Sequence, residues 1–161
     1  MTQVRIFNGP IEVGLRALTL LVEAYPNSLD LQQLVTLDYI VIHSGDVEGG
    51  PGSLHPPSPL RSGEIAIRRA LVEDGLNLYR VRGLVSQKML NSGFTYIAEN
   101  SAASFLEAHK SPYVEQLRKR AEWVIESFGQ LEAEELNHTL RGSLSKWLTE
   151  FAVLASEGDE A

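Results

Sequence analysis

The first pattern in the sequence is an amphipathic helix that begins at Asn8-Gly9-Pro10. Proline is favoured at the first position of a helix, where its missing N–H is not needed. Polar residues at Glu12, Arg16, Thr19 and Glu23 form a separate stripe that is expected to face solvent. The apolar stripe, which predicts the buried side of the helix, consists of Ile11, Leu15, Leu18, Val22 and Tyr25.

A second helix is predicted to start at Asp30, which forms a capping-box pattern with Gln33. Its apolar positions are Leu31, Leu34, Val35, Tyr39 and Ile42. Asp38 is unusual because it shares the apolar face of this helix. A carboxylate there must be hydrogen-bonded or paired with a cation such as an arginine. We therefore expect Asp38 to be a satisfied structural residue, with a catalytic acid as the alternative.

A loop over residues 43–63 interrupts the helical pattern. Its five glycines and four prolines exclude a helix or a central strand. Loops of this length without secondary structure are uncommon in domains and are usually functional or disordered. His43, Asp46 and His55 are residue types that a metal site or an acid–base pair would use, but they lack the i, i+4 spacing of a two-histidine zinc site. No metal site is predicted.

The second half of the chain is predicted to contain a helix, a hairpin and further helices. The helix runs from Glu64 to Arg82, and Gly75 in its middle is expected to weaken it or split it in two. Two extended runs, at residues 84–90 and 94–98, are joined by Asn91-Ser92-Gly93, a β-hairpin signal. The later helices are expected over residues 102–109, over 112–128 after an N-cap at Ser111, and from about Glu132.

This order of elements predicts a mainly α fold with a small β-hairpin. It is the order of a winged-helix-like domain followed by C-terminal helices. We assign the winged-helix-like domain to residues 1–100, including the loop at 43–63, and a helical extension to residues 101–155. Residues 156–161 are expected to form a flexible acidic tail. Fold alone does not decide function, because such domains bind either DNA or proteins.

Composition narrows the class of protein. The chain has 161 residues and no cysteine, which removes disulfides and cysteine nucleophiles and favours a reducing compartment. No apolar run approaches the ~18 residues of a membrane span, and the N-terminus lacks the pattern of a signal peptide. A cytoplasmic protein is expected. Neither a Gly-x-Ser-x-Gly elbow nor a phosphate-binding Gly-x-x-x-x-Gly-Lys loop occurs, so we predict neither an enzyme nor a cofactor.

Charge is unevenly spread along the chain. The net charge is −7, but residues 61–98 carry +3 while residues 1–60 carry −4 and residues 99–161 carry −6. An acidic protein repels the phosphate backbone, so non-specific DNA binding by the whole molecule is not expected. The basic segment leaves open a DNA-contacting face, against the simpler alternative of ordinary solvated side chains. Its candidate residues are Arg68, Arg69, Arg80 and Lys88.

The loop and its flanks resemble a bacterial family, middle component 2 of the ABC-three-component systems. The resemblance covers the chain from Phe7-Asn8-Gly9-Pro10 to Ser111-Pro112-Tyr113. The motifs that carry it are Leu37-Asp38-Tyr39, His43-Ser44-Gly45-Asp46, Gly49-Gly50-Pro51, Ser53-Leu54-His55-Pro56-Pro57 and Pro59-Leu60-Arg61-Ser62-Gly63-Glu64.

The resemblance implies a non-enzymatic adaptor subunit that links an SMC-type ABC ATPase to an effector subunit, in defence against phages and other mobile DNA. DNA would then be contacted only as part of the complex, and a homodimer stays open. No active site is implied. The residues to which the resemblance gives a partner-binding role are Asp38, His43, Ser44, Asp46, Leu54, His55, Pro56, Pro57, Arg61 and Glu64.

Overall fold

The computed structural model describes residues 9–55 and 62–140, apart from the side chains at positions 62–66, 137, 139 and 140. Within that part the chain is mainly helical with a small antiparallel sheet of three strands, which confirms the predicted fold class. The helices and strands are α1 (Pro10–Ala24), β1 (Leu29–Asp30), α2 (Leu31–Ile42), a 3₁₀ turn (Ser44–Asp46), α3 (Ser62–Val81), β2 (Val85–Leu90), β3 (Gly93–Ala98), α4 (Ala102–Glu107), α5 (Pro112–Phe128) and α6 (Ala133–Leu140).

The sheet has the strand order β1–β3–β2. The predicted hairpin is present, with Gly93 at a φ of 120° where β3 begins. The two-residue strand β1 was not predicted, since so short a segment carries no alternating pattern; it pairs Leu29 with Tyr96. The winged-helix assignment rests on this order of elements and stays a prediction.

The predicted helix is present as α1 and Leu15 and Leu18 are buried as expected, but the amphipathic prediction is wrong for other members of both faces. Arg16 and Thr19, expected in solvent, are 1% and 0% exposed, whereas Ile11 and Tyr25, expected in the core, are 67% and 54% exposed. The reason is the central position of the helix, because α2, α3, α5 and β3 all pack around it. A helix that is covered on most sides has no solvent-facing stripe.

Helix α3 is continuous, so the expectation that Gly75 splits it is wrong. Gly75 instead lies where α3 crosses α1, against Gly14. A Cβ atom on Gly75 would come within 2.7 Å of the Cα and backbone N of Gly14. The two glycines therefore allow the backbones of α1 and α3 to approach more closely than larger residues would permit.

The later helices contribute to the same core as the earlier ones. Leu106 of α4, Leu117 and Val124 of α5, and Leu136 of α6 are each 0% exposed and belong to one cluster with Leu18 of α1. Helix α5 packs against both α1 and α2. The division of the chain at residue 100 stays a prediction. The predicted tail and the end of the last helix lie outside the described residues.

Candidate functional site

The centre of the candidate site is a buried carboxylate held by two arginines. Asp38 is fully buried in α2. Arg16 of α1 donates from Nε to Asp38 Oδ1 at 2.6 Å and from Nη2 to Oδ2 at 3.2 Å. Arg68 of α3 donates from Nη1 to Oδ2 at 2.8 Å. This confirms that Asp38 is a structural aspartate paired with arginine, and it joins three helices through one side chain.

The charges in this cluster stabilise one another. Burial acts to raise the pKa of Asp38, but the charges and hydrogen bonds of Arg16 and Arg68 outweigh it and hold the pKa below its ordinary value. Burial likewise acts to lower the pKa of Arg16, and Asp38 reverses the shift. Asp38 and Arg16 are therefore ionised, which makes Asp38 a poor candidate for the alternative role of a catalytic acid.

Arg68 also connects the cluster to the start of the loop. Its guanidinium carbon lies 5.6 Å from the centre of the Tyr39 ring. The Tyr39 hydroxyl donates to Oδ2 of Asp46 at 3.2 Å, in the 3₁₀ turn. Burial, reinforced by the Asp46 carboxylate, raises the pKa of Tyr39 to about 12. The tyrosine therefore acts as a hydrogen-bond donor and not as a base at neutral pH.

Two histidines of the loop lie against this cluster in their neutral form. Burial, with a further contribution from the charge of Arg68, lowers the pKa of His43. Burial and the charge of Arg16 lower the pKa of His55 to about 4. His55 Nε2 lies 2.9 Å from the hydroxyl of Tyr113 on α5, so a hydrogen bond ties the end of the described loop to that helix.

The loop is held in place as far as residue 55 by hydrogen bonds within itself and to α2 and α5. The backbone N–H groups of Leu54 and His55 both donate to the carbonyl of Ile42 at 3.1 Å. Ser44 Oγ donates to the carbonyl of Gly52 at 3.1 Å. Arg120 of α5 donates to the same carbonyl from Nε at 3.1 Å and from Nη2 at 2.9 Å. These hydrogen bonds therefore fix the segment against α2 and α5.

The sequence-predicted partner residues differ in their exposure. Asp38, His43 and Ser44 are buried, and Leu54 and His55 are half-buried. Asp46 is exposed on the loop surface. The described residues do not include Pro56, Pro57 and Arg61, nor the side chain of Glu64.

Three residues of the site were missed by sequence reasoning. Arg16 stands in the polar stripe of α1, and its only sequence signal was the need of Asp38 for a cation. Tyr113 lies in the first turn of α5, and no local pattern marks its hydroxyl as a partner for His55. Arg120 has no sequence signal at all, because its contact with Gly52 spans 68 positions.

The candidate DNA residues separate into two environments. Arg69, Arg80 and Lys88 are exposed on α3 and β2. Arg68 is engaged by Asp38, and its side chain is only 18% exposed. Arg69 donates from Nη1 to Oε1 of Gln32 at 3.0 Å, so it is held beside the start of α2. The exposed cations thus amount to a small patch.

Within residues 9–55 and 62–140, no group of three or more histidine, aspartate or glutamate side chains is arranged to hold a metal ion. In the same part of the chain no helix is both long and apolar enough to cross a membrane.

The fold and the site define a helix-rich domain that carries a glycine- and proline-containing loop on a buried ion-pair cluster. The chain belongs to the family described as ABC-three component (ABC-3C) system Middle Component 2, whose sequence profile matches residues 6–150. No curated protein and no solved structure matches it. The family resemblance noted from the loop motifs is thereby confirmed, and the protein is a component of a three-component system.

Proposed function

We propose that this protein is a non-enzymatic adaptor that bridges an SMC-type ABC ATPase and an effector subunit in a bacterial defence system against phages and other mobile DNA. Membership of the middle-component family supports a role beside partner subunits. The loop that begins at His43 is the proposed contact surface.

The observation that carries the proposal is the way the loop is held. Between Ser44 and His55 it is fixed by hydrogen bonds to α2 and α5, while Asp46, Glu48 and Ser53 stay exposed. Binding to a preorganised surface loses less conformational entropy than binding to a loose one. A loop held from beneath, with polar groups outward, is suited to contact another protein.

In this proposal the cluster and the loop have different roles. Asp38 and its two arginines fix the relative positions of α1, α2 and α3, and with them both ends of the loop. His43 and His55 act as neutral supports under the surface. Asp46 and Ser53 contact the partner directly, and the contact continues over Pro56, Pro57 and Arg61.

Co-purification of the three subunits tests the proposal. This chain, carrying an affinity tag, is co-expressed with the ATPase and effector encoded beside it, and the retained subunits are identified. Asp46→Lys with Glu48→Lys should abolish retention of at least one subunit. The matched control is Glu107→Lys with Glu115→Lys, which makes the same charge change at exposed positions on α4 and α5. Equal retention by both double variants contradicts the loop as the contact surface.

The second candidate function is DNA binding, favoured by exposed Arg69, Arg80 and Lys88. A DNA-binding protein releases counterions from the phosphates, so its affinity falls steeply with salt. A gel shift at 50 mM and at about 200 mM salt decides between the two. Strong binding at low salt that is lost on Arg80→Glu with Lys88→Glu would favour DNA.

A further inference from the structure

The tip of the β2–β3 hairpin exposes large apolar side chains. Met89 is 67% exposed, Leu90 48% and Phe94 51%. Met89 and Phe94 are directly paired across the two strands, so their side chains lie on the same face of the sheet. Scattered apolar residues are ordinary on protein surfaces, but a group of adjacent exposed ones indicates a binding site.

This apolar tip continues into a flank of α3 that carries charge. Tyr96 lies two residues after Phe94 on β3, hence on the same face of the sheet. Burial raises the pKa of Tyr96, with Glu73 raising it further and Arg80 and Arg69 acting in the opposite direction. Helix α3 also packs against β2, so these side chains lie beside the sheet. We name this surface the hairpin face; it comprises Arg69, Glu73, Arg80, Met89 and Phe94.

The charge of the hairpin face favours a partner rich in carboxylates. Arg69 and Arg80 outnumber Glu73, and Lys88 is exposed on the opposite face of β2 from Met89. A second copy of this chain would bring the same cations against these, which opposes self-association through this face. DNA would match the cations, but Glu73 and the apolar pair at Met89 and Phe94 find no favourable contact with phosphates.

We propose that the hairpin face is a second protein-docking surface, on which Met89 and Phe94 enter an apolar cleft rimmed by carboxylates on one of the two partner subunits. This inference rests on the adaptor role proposed above and extends it. An adaptor that bridges two subunits needs two separate surfaces. The loop supplies one, and the hairpin face supplies the other.

The test uses the same three-subunit co-expression with the full chain. Met89→Ser with Phe94→Ser removes the apolar pair, and Arg69→Glu with Arg80→Glu reverses the charge of the hairpin face. The control is Ile11→Ser with Ile67→Ser, which removes equally exposed apolar side chains at 67% and 61% exposure. Ile67 lies nearly opposite Arg69 around α3, since two residues turn a helix by about 200°. Thermal unfolding of each variant checks that it remains folded.

We expect the wild type to retain both subunits and Met89→Ser with Phe94→Ser to lose one while keeping the other. The dissociation constant for the lost subunit should be at least tenfold higher in both hairpin variants than in the wild type. For the wild type it should also rise at least tenfold when the salt is raised from 0.1 M to 0.5 M. The control should bind as the wild type does.

Four results would overturn the inference in distinguishable ways. If the wild type retains both subunits and the hairpin variants bind equally well, the hairpin face is not a docking surface, while the adaptor role stands. If the wild type retains neither subunit, the adaptor role fails and this inference with it. If light scattering shows a dimer that is dissociated only by Met89→Ser with Phe94→Ser, the occupant is a second copy of this chain. If only DNA binding responds to Arg69→Glu with Arg80→Glu, the occupant is DNA.

Discussion

At the scale of single residues, Asp38 explains how a carboxylate is tolerated in an apolar helix face. Removing a charge from water costs several kcal/mol, and this cost is offset only where partners satisfy the charge fully. Asp38 receives hydrogen bonds on both oxygens, from Arg16 and from Arg68. The cluster is therefore stable as a unit and vulnerable to the loss of any one member.

We expect Asp38→Ala to destabilise the protein by about 3–5 kcal/mol, because it leaves two arginines without their shared carboxylate. Chemical denaturation measures this free energy of unfolding. Asp74→Ala, at an exposed position of α3, should change it by less than about 0.5 kcal/mol. A loss below about 1 kcal/mol for Asp38→Ala would show that the two arginines find other partners.

The loop histidines predict a pH dependence of stability. The pKa of His55 is about 4 in the folded protein and 6.5 ordinarily, so between these values the unfolded chain binds a proton that the folded chain does not. Stability should therefore fall as the pH is lowered from 6.5 to about 4, with His43 contributing in the same direction. The lowered pKa of Asp38 adds a further loss only at more acidic pH, below its ordinary 3.8.

His55→Gln cannot take up this proton, so its stability should decline less than that of the wild type between pH 6.5 and 4. Denaturation at a series of pH values measures the difference. His109→Gln, at an exposed position, is the control and should keep the wild-type slope. An unchanged slope in His55→Gln would contradict the burial of a neutral His55 against Arg16.

At the scale of helices and loops, two close contacts hold the site together. Helices α1 and α3 approach at Gly14 and Gly75, and this approach carries Arg16 and Arg68 to the same carboxylate. The loop is held to α5 by Arg120, whose guanidinium donates to the Gly52 carbonyl. Both contacts join elements that are distant in sequence.

Gly75→Ala should destabilise the protein by about 1–3 kcal/mol through overpacking. Alanine favours a helix over glycine by about 1 kcal/mol, but its Cβ would meet the backbone of Gly14 at 2.7 Å and the carbonyl of Pro10 at 2.8 Å. Thermal unfolding measures the change. Asn77→Ala, exposed on the same helix, should leave the melting temperature unchanged or raise it slightly. A higher melting temperature for Gly75→Ala would rule out the tight crossing.

Arg120→Ala should release the loop without unfolding the protein. The backbone amides of Leu54 and His55, which donate to the Ile42 carbonyl, should then exchange their hydrogens faster. Hydrogen exchange read at these two amides tests this, with Lys119→Ala at the exposed neighbouring position as the control. Unchanged exchange in Arg120→Ala would show that the loop is held without Arg120.

At the scale of the whole molecule, one core joins the early and late parts of the chain. Buried residues of α4, α5 and α6 belong to the same cluster as those of α1 and α2. Charge is unevenly distributed over the surface around this core. The chain has a net charge of −7, but α3 and β2 carry a basic patch. Partner surfaces of opposite charge can therefore bind different sides of the protein.

The shared core predicts that residues 1–100 do not fold alone. Without α4 and α5 the chain loses the packing of Leu106, Leu117 and Val124, each 0% exposed, and leaves α1 open to water. This fragment should lack a cooperative thermal transition and near-ultraviolet dichroism, both of which the full chain should show. A fragment that unfolds cooperatively would support the predicted division at residue 100.

The sequence by itself determined what depends on neighbouring residues. The capping box is present, with Asp30 Oδ1 accepting from the Gln33 N–H at 2.7 Å and Gln33 Oε1 accepting from the Asp30 N–H at 2.8 Å. Ser111 caps α5 as predicted, and the hairpin turns where Asn91-Ser92-Gly93 indicated. These features are fixed by backbone geometry and hydrogen bonds within a few residues, so the local pattern suffices. The family could also be recognised from the sequence, because its loop motifs are contiguous.

Only the tertiary structure decided which partners distant residues find. Helical periodicity marks the polar side of α1, but it cannot show that neighbouring helices cover that side and bury Arg16 against Asp38, 22 positions away. In the same way, an arginine on α5 is an ordinary surface residue until folding brings the Gly52 carbonyl to it. Burial and ion pairing depend on how helices pack, and packing is a property of the whole chain.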